Sequence, residues 1–225
     1  MSFILAIDGP AGAGKSTVSR LVAERLGFAL VDTGAIYRSV ALRALELGIG
    51  WTDEERLGPL AARVRLDFHF EDGVNRVRLD GTDVTEAIRA PEISRGASVV
   101  SSRPSVRAGL LELQRRLARE VGGGAVLEGR DIGTVVFPEA DAKVFLTASP
   151  ETRARRRFEE LRLKGARVTI DEVLADQIAR DREDETRPIA PLKPAPDAIL
   201  VDSTGLSTEA VVERIVAIVE RVRRP

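Results

Sequence analysis

Several residue types are absent or nearly absent from this chain of 225 residues, and each absence excludes a class of protein. There is no cysteine, which rules out disulfide frameworks and zinc sites built on cysteine. The single histidine excludes a metal site made of several histidines. No apolar run approaches the roughly 20 residues of a membrane span. The run Phe3–Ile7 is too short for a signal peptide and is followed at once by Asp-Gly-Pro. We therefore predict a cytoplasmic protein with no membrane partner.

Charge and composition set the remaining bounds. The formal net charge is −1, which argues against a protein that coats nucleic acid through bulk charge, so no nucleic-acid partner is predicted. Apolar residues make up 44% and charged residues 31%, values typical of a globular protein with a buried core. We predict a single domain over residues 1–225 and a monomer.

The N-terminal quarter alternates strands and helices. Phe3–Ile7 and Phe28–Val31 are short apolar runs typical of strands buried on both faces. Between and after them, Thr17–Leu26 and Gly34–Leu47 carry apolar residues at helical spacing. A β-α-β-α order predicts a parallel sheet flanked by helices, so the fold class is α/β.

The middle of the chain changes period. Residues 64–84 alternate apolar and polar side chains, with turns at Asp72-Gly73 and Asp80-Gly81. This pattern predicts a small antiparallel insert of three strands. A capping box at Thr52–Glu55 predicts the start of a short helix before the insert, and two helices that meet near Arg103-Pro104 are predicted after it.

The C-terminal half returns to the core pattern. Apolar runs at Ala125–Leu127, Lys143–Leu146 and Ala198–Val201 predict three more core strands. A Ser149-Pro150 cap starts one helix and a capping box at Thr169–Glu172 starts the next. The predicted layout is a core of 1–36, 122–150 and 197–225, a region of 37–121 that contains the insert, and a helical lid of about 151–188.

A phosphate-binding loop follows the first strand. The sequence Gly9-x4-Gly14-Lys15-Ser16 fits the P-loop pattern in full, between a predicted strand and a predicted helix. Glycines let backbone N–H groups approach phosphate oxygens, and the helix N-terminus adds positive potential. Lys15 is predicted to reach the β- and γ-phosphates of ATP and Ser16 to hold Mg²⁺. The predicted ATP-binding residues are Gly9, Pro10, Ala11, Gly12, Ala13, Gly14, Lys15, Ser16 and Thr17.

The loop alone does not name the reaction, because GTPases, motor ATPases and small-molecule kinases share it. A GTPase needs an Asn-Lys-x-Asp motif, and the only asparagine, Asn75, is followed by Arg76. Asp32–Arg38 and Glu128–Asp131 each follow a core strand, where parallel sheets bind ligands. The first segment is equally compatible with a capped helix whose Tyr37 packs inward. The second is also compatible with a surface turn that forms salt bridges.

Arginines crowd the predicted lid. Four lie on its first helix and three on its second, and such a hairpin can close over ATP and bring charge to the transferring phosphoryl group. Charge runs are usually solvated helix faces, and Arg155 and Arg182 are expected to be so. The arginines in question are Arg153, Arg155, Arg156, Arg157, Arg180, Arg182 and Arg187.

Taken together, these segments resemble the bacterial type of cytidylate kinase, a nucleoside monophosphate kinase with a P-loop kinase fold. The resemblance spans nearly the whole chain in the expected order, and the family also carries an antiparallel insert in its monophosphate-binding region. The matching stretches are 7–17, 32–38, 129–138 and 188–192. The resemblance implies transfer of the ATP γ-phosphoryl group to CMP or dCMP, with Mg²⁺ as cofactor.

The resemblance also implies roles for individual residues. Catalytic charge is expected from Lys15, Arg130, Arg153 and Arg157. The sugar side is expected at Thr33, Asp184 and Arg187, the acceptor phosphate at Arg38, Arg130 and Arg180, and the cytosine edge at Ser98, Arg107 and Asp131. Two alternatives stay open: another small-molecule kinase of the shikimate or UMP type, and a nucleotide-binding switch without an acceptor.

Overall fold

The apolar runs at the start and in the second half of the chain form one central sheet. The computed structural model describes residues 2–71, 74–163 and 165–223. Five strands have the spatial order β2-β6-β1-β7-β8, and β1 pairs in parallel with β6 and β7, as β7 does with β8. They are β1 Phe3–Asp8, β2 Ala29–Asp32, β6 Gly124–Gly129, β7 Ala142–Thr147 and β8 Ile199–Asp202. The predicted α/β fold with a parallel central sheet is confirmed.

The register of the sheet places two predicted segments at one edge. Leu5 and Ile7 of β1 are fully buried, as their continuous apolar run predicts. The pairing aligns Asp8, the last residue of β1, with Gly129, the last residue of β6. The phosphate loop and the stretch that begins at Arg130 therefore leave the sheet side by side.

The chain divides into two compact units, Met1–Ala29 with Gly123–Pro225 and Leu30–Gly122. In the first unit, α1 (Lys15–Leu26) packs against α8 (Thr208–Arg223), and α6 (Pro150–Leu163) packs against α7 (Ile170–Thr186). The predicted capping box at Thr169 is present, with both hydrogen bonds made, and the Ser149 hydroxyl accepts from the Thr152 amide. The hairpin predicted as a lid is thus formed by α6 and α7.

The unit of residues 30–122 contains the antiparallel insert. Its strands β3, β4 and β5 lie in sequence order, with β4 central. The predicted turn at 72–73 lies outside the described residues. The bounds are α2 Thr33–Glu46, α3 Glu54–Arg63, β3 Leu66–Glu71, β4 Val74–Leu79, β5 Thr82–Asp83, α4 Pro91–Ser101 and α5 Pro104–Arg119, with a 3₁₀ turn at Ala87–Arg89. The single-domain assignment stays a prediction.

One predicted helix start is wrong. The N-cap of α3 is Asp53, whose carboxylate accepts from the Arg56 amide at 3.1 Å, so the capping box at Thr52–Glu55 does not form. A carboxylate is at least as good an N-cap as a threonine hydroxyl, and its charge also favours the helix N-terminus. The helix therefore begins one residue later than the box predicts.

The only tryptophan is a packing residue, as predicted. The indole N–H of Trp51 donates to the Ala41 carbonyl of α2 at 3.0 Å. Its ring lies so close to Gly96 of α4 that a Cβ there would sit 2.5 Å from it. Trp51 therefore joins α2 and α4 inside the unit of residues 30–122.

Two short elements, the 3₁₀ turn at Ala87–Arg89 and a π-helical turn, have no counterpart in the sequence-based predictions. Ile132–Val136 forms a π-helical turn directly after Asp131, and the Phe137 amide donates to the Ile132 carbonyl at 2.7 Å. Across the ranges 2–71, 74–163 and 165–223, no helix is both long and apolar enough to cross a bilayer.

Candidate active site

The phosphate loop connects β1 to α1 through three glycines with positive φ. Gly9, Gly12 and Gly14 have φ of 151°, 74° and 92°, backbone values that residues with a Cβ rarely adopt. Gly14 is the N-cap of α1 and supplies no side chain to the first amides of the helix. The first turn of α1 is therefore open to an anion.

Arginines from α6 hold the outside of the loop. Arg153 Nη1 donates to the Ala11 carbonyl at 3.1 Å, and Arg156 Nη1 donates to the Ala13 carbonyl at 3.4 Å. In a planar trans peptide, the carbonyl and the next N–H point in opposite directions. Carbonyls fixed outward therefore turn the following N–H groups, including that of Gly12, toward the inside of the loop. Successive inward N–H groups form an anion-binding concavity.

Lys15, the first residue of α1, lies across this loop. Its ammonium group donates to the Pro10 carbonyl at 2.8 Å. Burial, and next the positive charge of Arg130, lower the pKa of Lys15 to about 7, although Glu128 and Asp8 act in the opposite direction. A lysine so poorly solvated gains a large interaction from any phosphate that reaches it.

Ser16 lies next to a carboxylate from the neighbouring strand. Its hydroxyl donates to Glu128 Oε2 at 3.0 Å, and Glu128 is buried at the end of β6. A hydroxyl and a carboxylate are the hard oxygen donors that Mg²⁺ prefers. The two side chains therefore have the chemistry of a magnesium site beside the loop.

Asp8 is a functional candidate that the sequence-based predictions missed. Its carboxylate accepts from the Ile132 and Gly133 amides at 2.8 and 2.7 Å, and only 5% of the residue is exposed. Burial raises the pKa of Asp8 to about 6, although both hydrogen bonds act to lower it. The signal in the sequence is a carboxylate at the end of an apolar strand. Asp8 thereby ties the start of the phosphate loop to the turn that follows Asp131.

Replacement of Asp8 by asparagine is expected to change how stability depends on pH. Because the pKa of Asp8 rises from 3.8 to about 6 on folding, the folded state holds this proton more tightly. The resulting stabilisation is complete below the unfolded pKa and is lost as the pH rises through the folded pKa. Between pH ~4 and ~7, the unfolding free energy of wild type minus that of Asp8→Asn should fall by about 2 kcal/mol.

Urea denaturation across this pH range measures the difference. Asp176→Asn, at an exposed position of α7, is the control, and its difference from wild type should stay within about 0.5 kcal/mol throughout. A difference for Asp8→Asn that is constant or grows with pH would contradict the proposed burial of its carboxylate.

Ion pairs bring together four predicted substrate residues of the first unit, and a fifth, Arg180, lies within electrostatic range of them. Arg130 Nε donates to Asp184 Oδ2 at 2.8 Å, and Arg187 lies 3.6 Å from Asp184 and 3.7 Å from Asp131. Arg180 belongs to the same cluster: although its residue is exposed, desolvation and then the charge of Arg130 lower its pKa, while Asp184 opposes them. The cluster joins the segment after β6 to the end of α7.

The two lid arginines predicted as catalytic have different surroundings. Arg153 is buried and contacts Ala148, Ala11 and Asp181. Arg157 donates to Glu160 at 2.7 Å one turn along α6, and 41% of its side chain is exposed. Arg155 and Arg182 are exposed, as expected for solvated faces.

Arg156 was predicted only as one of the arginines of α6, with no role of its own, but it contacts the phosphate loop. It donates to the Ser203 hydroxyl and carbonyl, both at 3.0 Å, as well as to the loop at Ala13. It therefore joins the phosphate loop to the segment after β8. Nothing local in the sequence separates Arg156 from its neighbours on α6.

The other four predicted substrate residues lie in the unit of residues 30–122. Thr33 is the buried first residue of α2, and Arg38 donates to Asp32, the N-cap of that helix, at 2.9 Å. Arg107 is buried on α5, where it donates to the Ser101 carbonyl and lies 5.5 Å from the centre of the Tyr37 ring. The hydroxyl of Ser98 lies 3.5 Å from the Ser94 carbonyl within α4. The alternative interpretation of this segment is confirmed, because Asp32 caps α2 and Tyr37 is buried. The same segment also presents the Thr33 hydroxyl and Arg38, so the two interpretations are compatible.

Comparison with known families decides the relationship. A family model described as cytidylate kinase matches residues 5–221. The chain belongs to the cytidylate kinase family. The matched residues include the phosphate loop, the antiparallel insert and helices α6 and α7.

Curated relatives agree over nearly the full length. A cytidylate kinase of Geobacter sulfurreducens is 52% identical over 98% of this chain and 94% of its own. One of Desulfitobacterium hafniense is 51% identical over 95% and 91%, and one of Pseudomonas aeruginosa is 50% identical over 97% and 95%. Such identity over such coverage confirms the family resemblance drawn from the motifs.

Among solved structures, an uncharacterized protein from Eubacterium ventriosum superposes with a TM-score of 0.55 at 12% identity. It covers 97% of this chain and 99% of its own. This similarity concerns the fold alone.

Proposed function

We propose that the protein transfers the γ-phosphoryl group of ATP to CMP or dCMP, giving ADP and CDP or dCDP. The observation that carries the proposal is that the Arg130–Asp184 pair lies close enough to Lys15 for both charges to act on its pKa. A phosphate loop and a cluster of arginines on one sheet edge can hold a donor and an acceptor phosphate together. Membership in the cytidylate kinase family supports cytosine as the base.

On the donor side, the loop residues 9–17 would surround the phosphates of ATP. Inward N–H groups and the N-terminus of α1 supply positive potential, and Lys15 adds a full positive charge. Its bond to the Pro10 carbonyl is one that a phosphate oxygen can replace. The burial that lowers the pKa of Lys15 favours that exchange, because a poorly solvated ammonium gains more from an anion than from a carbonyl.

Magnesium fits the residues beside the loop. Ser16 would ligate the ion directly, and Glu128 would contact it through water, since both present oxygen atoms at 3.0 Å from each other. When bound with ATP, the ion supplies positive charge that offsets the phosphate oxygens.

On the acceptor side, the predicted polar and charged residues have three roles. Arg38, Arg130 and Arg180 would hold the acceptor phosphate, Thr33, Asp184 and Arg187 the sugar, and Ser98, Arg107 and Asp131 the cytosine edge. The ion pairs among Arg130, Asp184 and Arg187 support this division, because the planar forks are already oriented before substrate arrives.

No general base is required. A monophosphate oxygen is already nucleophilic, so the reaction depends on alignment and charge neutralisation. Lys15 and Arg130 would supply that charge. Arg157 of α6 would add to it, because its side chain stays 41% exposed while it pairs with Glu160.

A coupled assay of ADP formation with a panel of acceptors tests the proposal. CMP and dCMP should be the fastest acceptors, and UMP and AMP should be slower by at least tenfold, because uracil reverses the donor–acceptor pattern of the cytosine edge and the purine of AMP is larger than a pyrimidine. Full activity with AMP, UMP or shikimate and none with CMP would favour another small-molecule kinase. Slow ATP hydrolysis that no acceptor accelerates would favour a nucleotide-binding switch.

The state of assembly and the location of the protein stay predictions. We expect a monomer in the cytoplasm with no nucleic-acid partner. The formal net charge of −1 supports the last of these expectations.

A further inference from the structure

The guanidinium of Arg153 has a protein partner for each of its nitrogen atoms. Nε donates to the Ala148 carbonyl at 3.0 Å, Nη1 donates to the Ala11 carbonyl at 3.1 Å, and Nη2 lies 2.7 Å from Asp181 Oδ2. Only 5% of its side chain is exposed. Each of its three nitrogens thus has a protein partner, so the group is fixed in one place.

The contact with Ala11 determines the orientation of a peptide in the phosphate loop. Because the peptide between Ala11 and Gly12 is planar, a carbonyl fixed on Arg153 fixes the Gly12 N–H on the opposite side. That N–H is one of the donors that a phosphate loop offers to a nucleotide. Arg153 therefore acts on the donor site through the backbone.

The second lid helix holds Arg153 in place. Asp181 of α7 is 14% exposed in its side chain, and its other oxygen, Oδ1, is buried with no hydrogen-bond partner among the described residues. Gln177, one turn earlier, donates to the Arg153 carbonyl at 3.3 Å. A Cβ on Gly12 would lie 2.5 Å from the Gln177 amide nitrogen, so α7 also packs directly against the loop.

We propose that Arg153 is a positioning residue, anchored by Asp181, that orients the Gly12 N–H for the phosphates of ATP. This inference rests on the proposed function and replaces the direct catalytic role that the resemblance implies for Arg153. A guanidinium that touched the transferring phosphoryl group would have to leave a buried ion pair, which costs more than a surface pair. The loop carbonyl gives it a role without that movement.

The test compares Arg153→Lys, Asp181→Asn and the double variant with wild type. Lysine keeps the charge but cannot span three partners, and asparagine keeps the shape of Asp181 without its charge. We expect Arg153→Lys to raise the KM for ATP by roughly 10- to 100-fold and to lower kcat, with the KM for CMP within about twofold. Asp181→Asn should change the same parameters in the same direction. The double variant should be no more than about twofold worse than Arg153→Lys, because both act on one contact.

Arg155→Lys is the matched control, since Arg155 is exposed two residues away on the same helix, and it should match wild type. A loss confined to kcat in Arg153→Lys, with Asp181→Asn unchanged, would overturn the proposal in favour of direct catalytic contact. Equal increases in both KM values would overturn it in favour of general loosening. Calorimetric titration with Mg²⁺ and ATP gives the dissociation constant without acceptor, so an enzyme that fails to use CMP still tests Arg153.

Discussion

Lys15→Ala is expected to lower kcat by roughly 10³-fold, because one charged donor to the transferring group is removed. Lys15 is buried, and its ammonium donates to the Pro10 carbonyl of the loop. Its low pKa shows that the fold holds the ammonium at a cost, so its removal should not destabilise the protein at neutral pH. The coupled assay with CMP and a thermal melt measure the two effects.

Lys193→Ala is the control for this loss, because Lys193 is exposed in the segment after α7. It should retain wild-type turnover and melting temperature. Turnover of Lys15→Ala within tenfold of wild type would contradict the assignment of the phosphate loop. A large drop in its melting temperature would show that the lysine stabilises the fold.

Gly9→Ala should have the largest effect on stability. Gly9 has φ of 151°, and a Cβ built on it would lie 1.9 Å from the Leu146 carbonyl oxygen of β7. Backbone atoms in a central strand cannot move aside as a flexible side chain can. Strain and overpacking together predict a loss of about 4 kcal/mol, a large share of the total stability of a domain. For a chain of this size, that corresponds to a fall of about 10 °C in Tm.

Gly27→Ala separates the two contributions to this loss. Gly27 also has a positive φ, of 65°, but no atom of the described residues outside its own neighbourhood lies within 4 Å of the position that a methyl group would take there. It should lose only about 1 kcal/mol, from the backbone conformation alone. If the two variants melt within about 2 °C of each other by differential scanning calorimetry, the close approach of Gly9 to β7 does not contribute to the loss of stability.

The predictable parts of this protein are those that local sequence specifies. The phosphate loop follows from a motif between a strand and a helix, and the cap at Thr169 follows from residues three positions apart. The α3 start shows the limit, since Thr52 and Asp53 both suit an N-cap and only the path of the chain selects the second. Adjacent candidates for one cap are decided by tertiary structure.

The unpredictable parts depend on partners distant in sequence. Asp8 is tied to Ile132, which is 124 positions later, and Arg153 is tied to Ala11, which is 142 positions earlier. Composition identified an arginine-rich helix but not which arginine is buried. Burial and pairing are set by the packing of α6 and α7, which no local pattern encodes.

The location of the single tryptophan makes intrinsic fluorescence a reporter of one region. Trp51 contacts Ala41 and Gly96, so its emission senses the packing of α2 against α4. Those two helices carry Arg38 and Ser98, which are proposed to bind the acceptor. The phosphate loop belongs to the other compact unit, and the tryptophan emission is therefore a native optical signal for the unit of residues 30–122 alone.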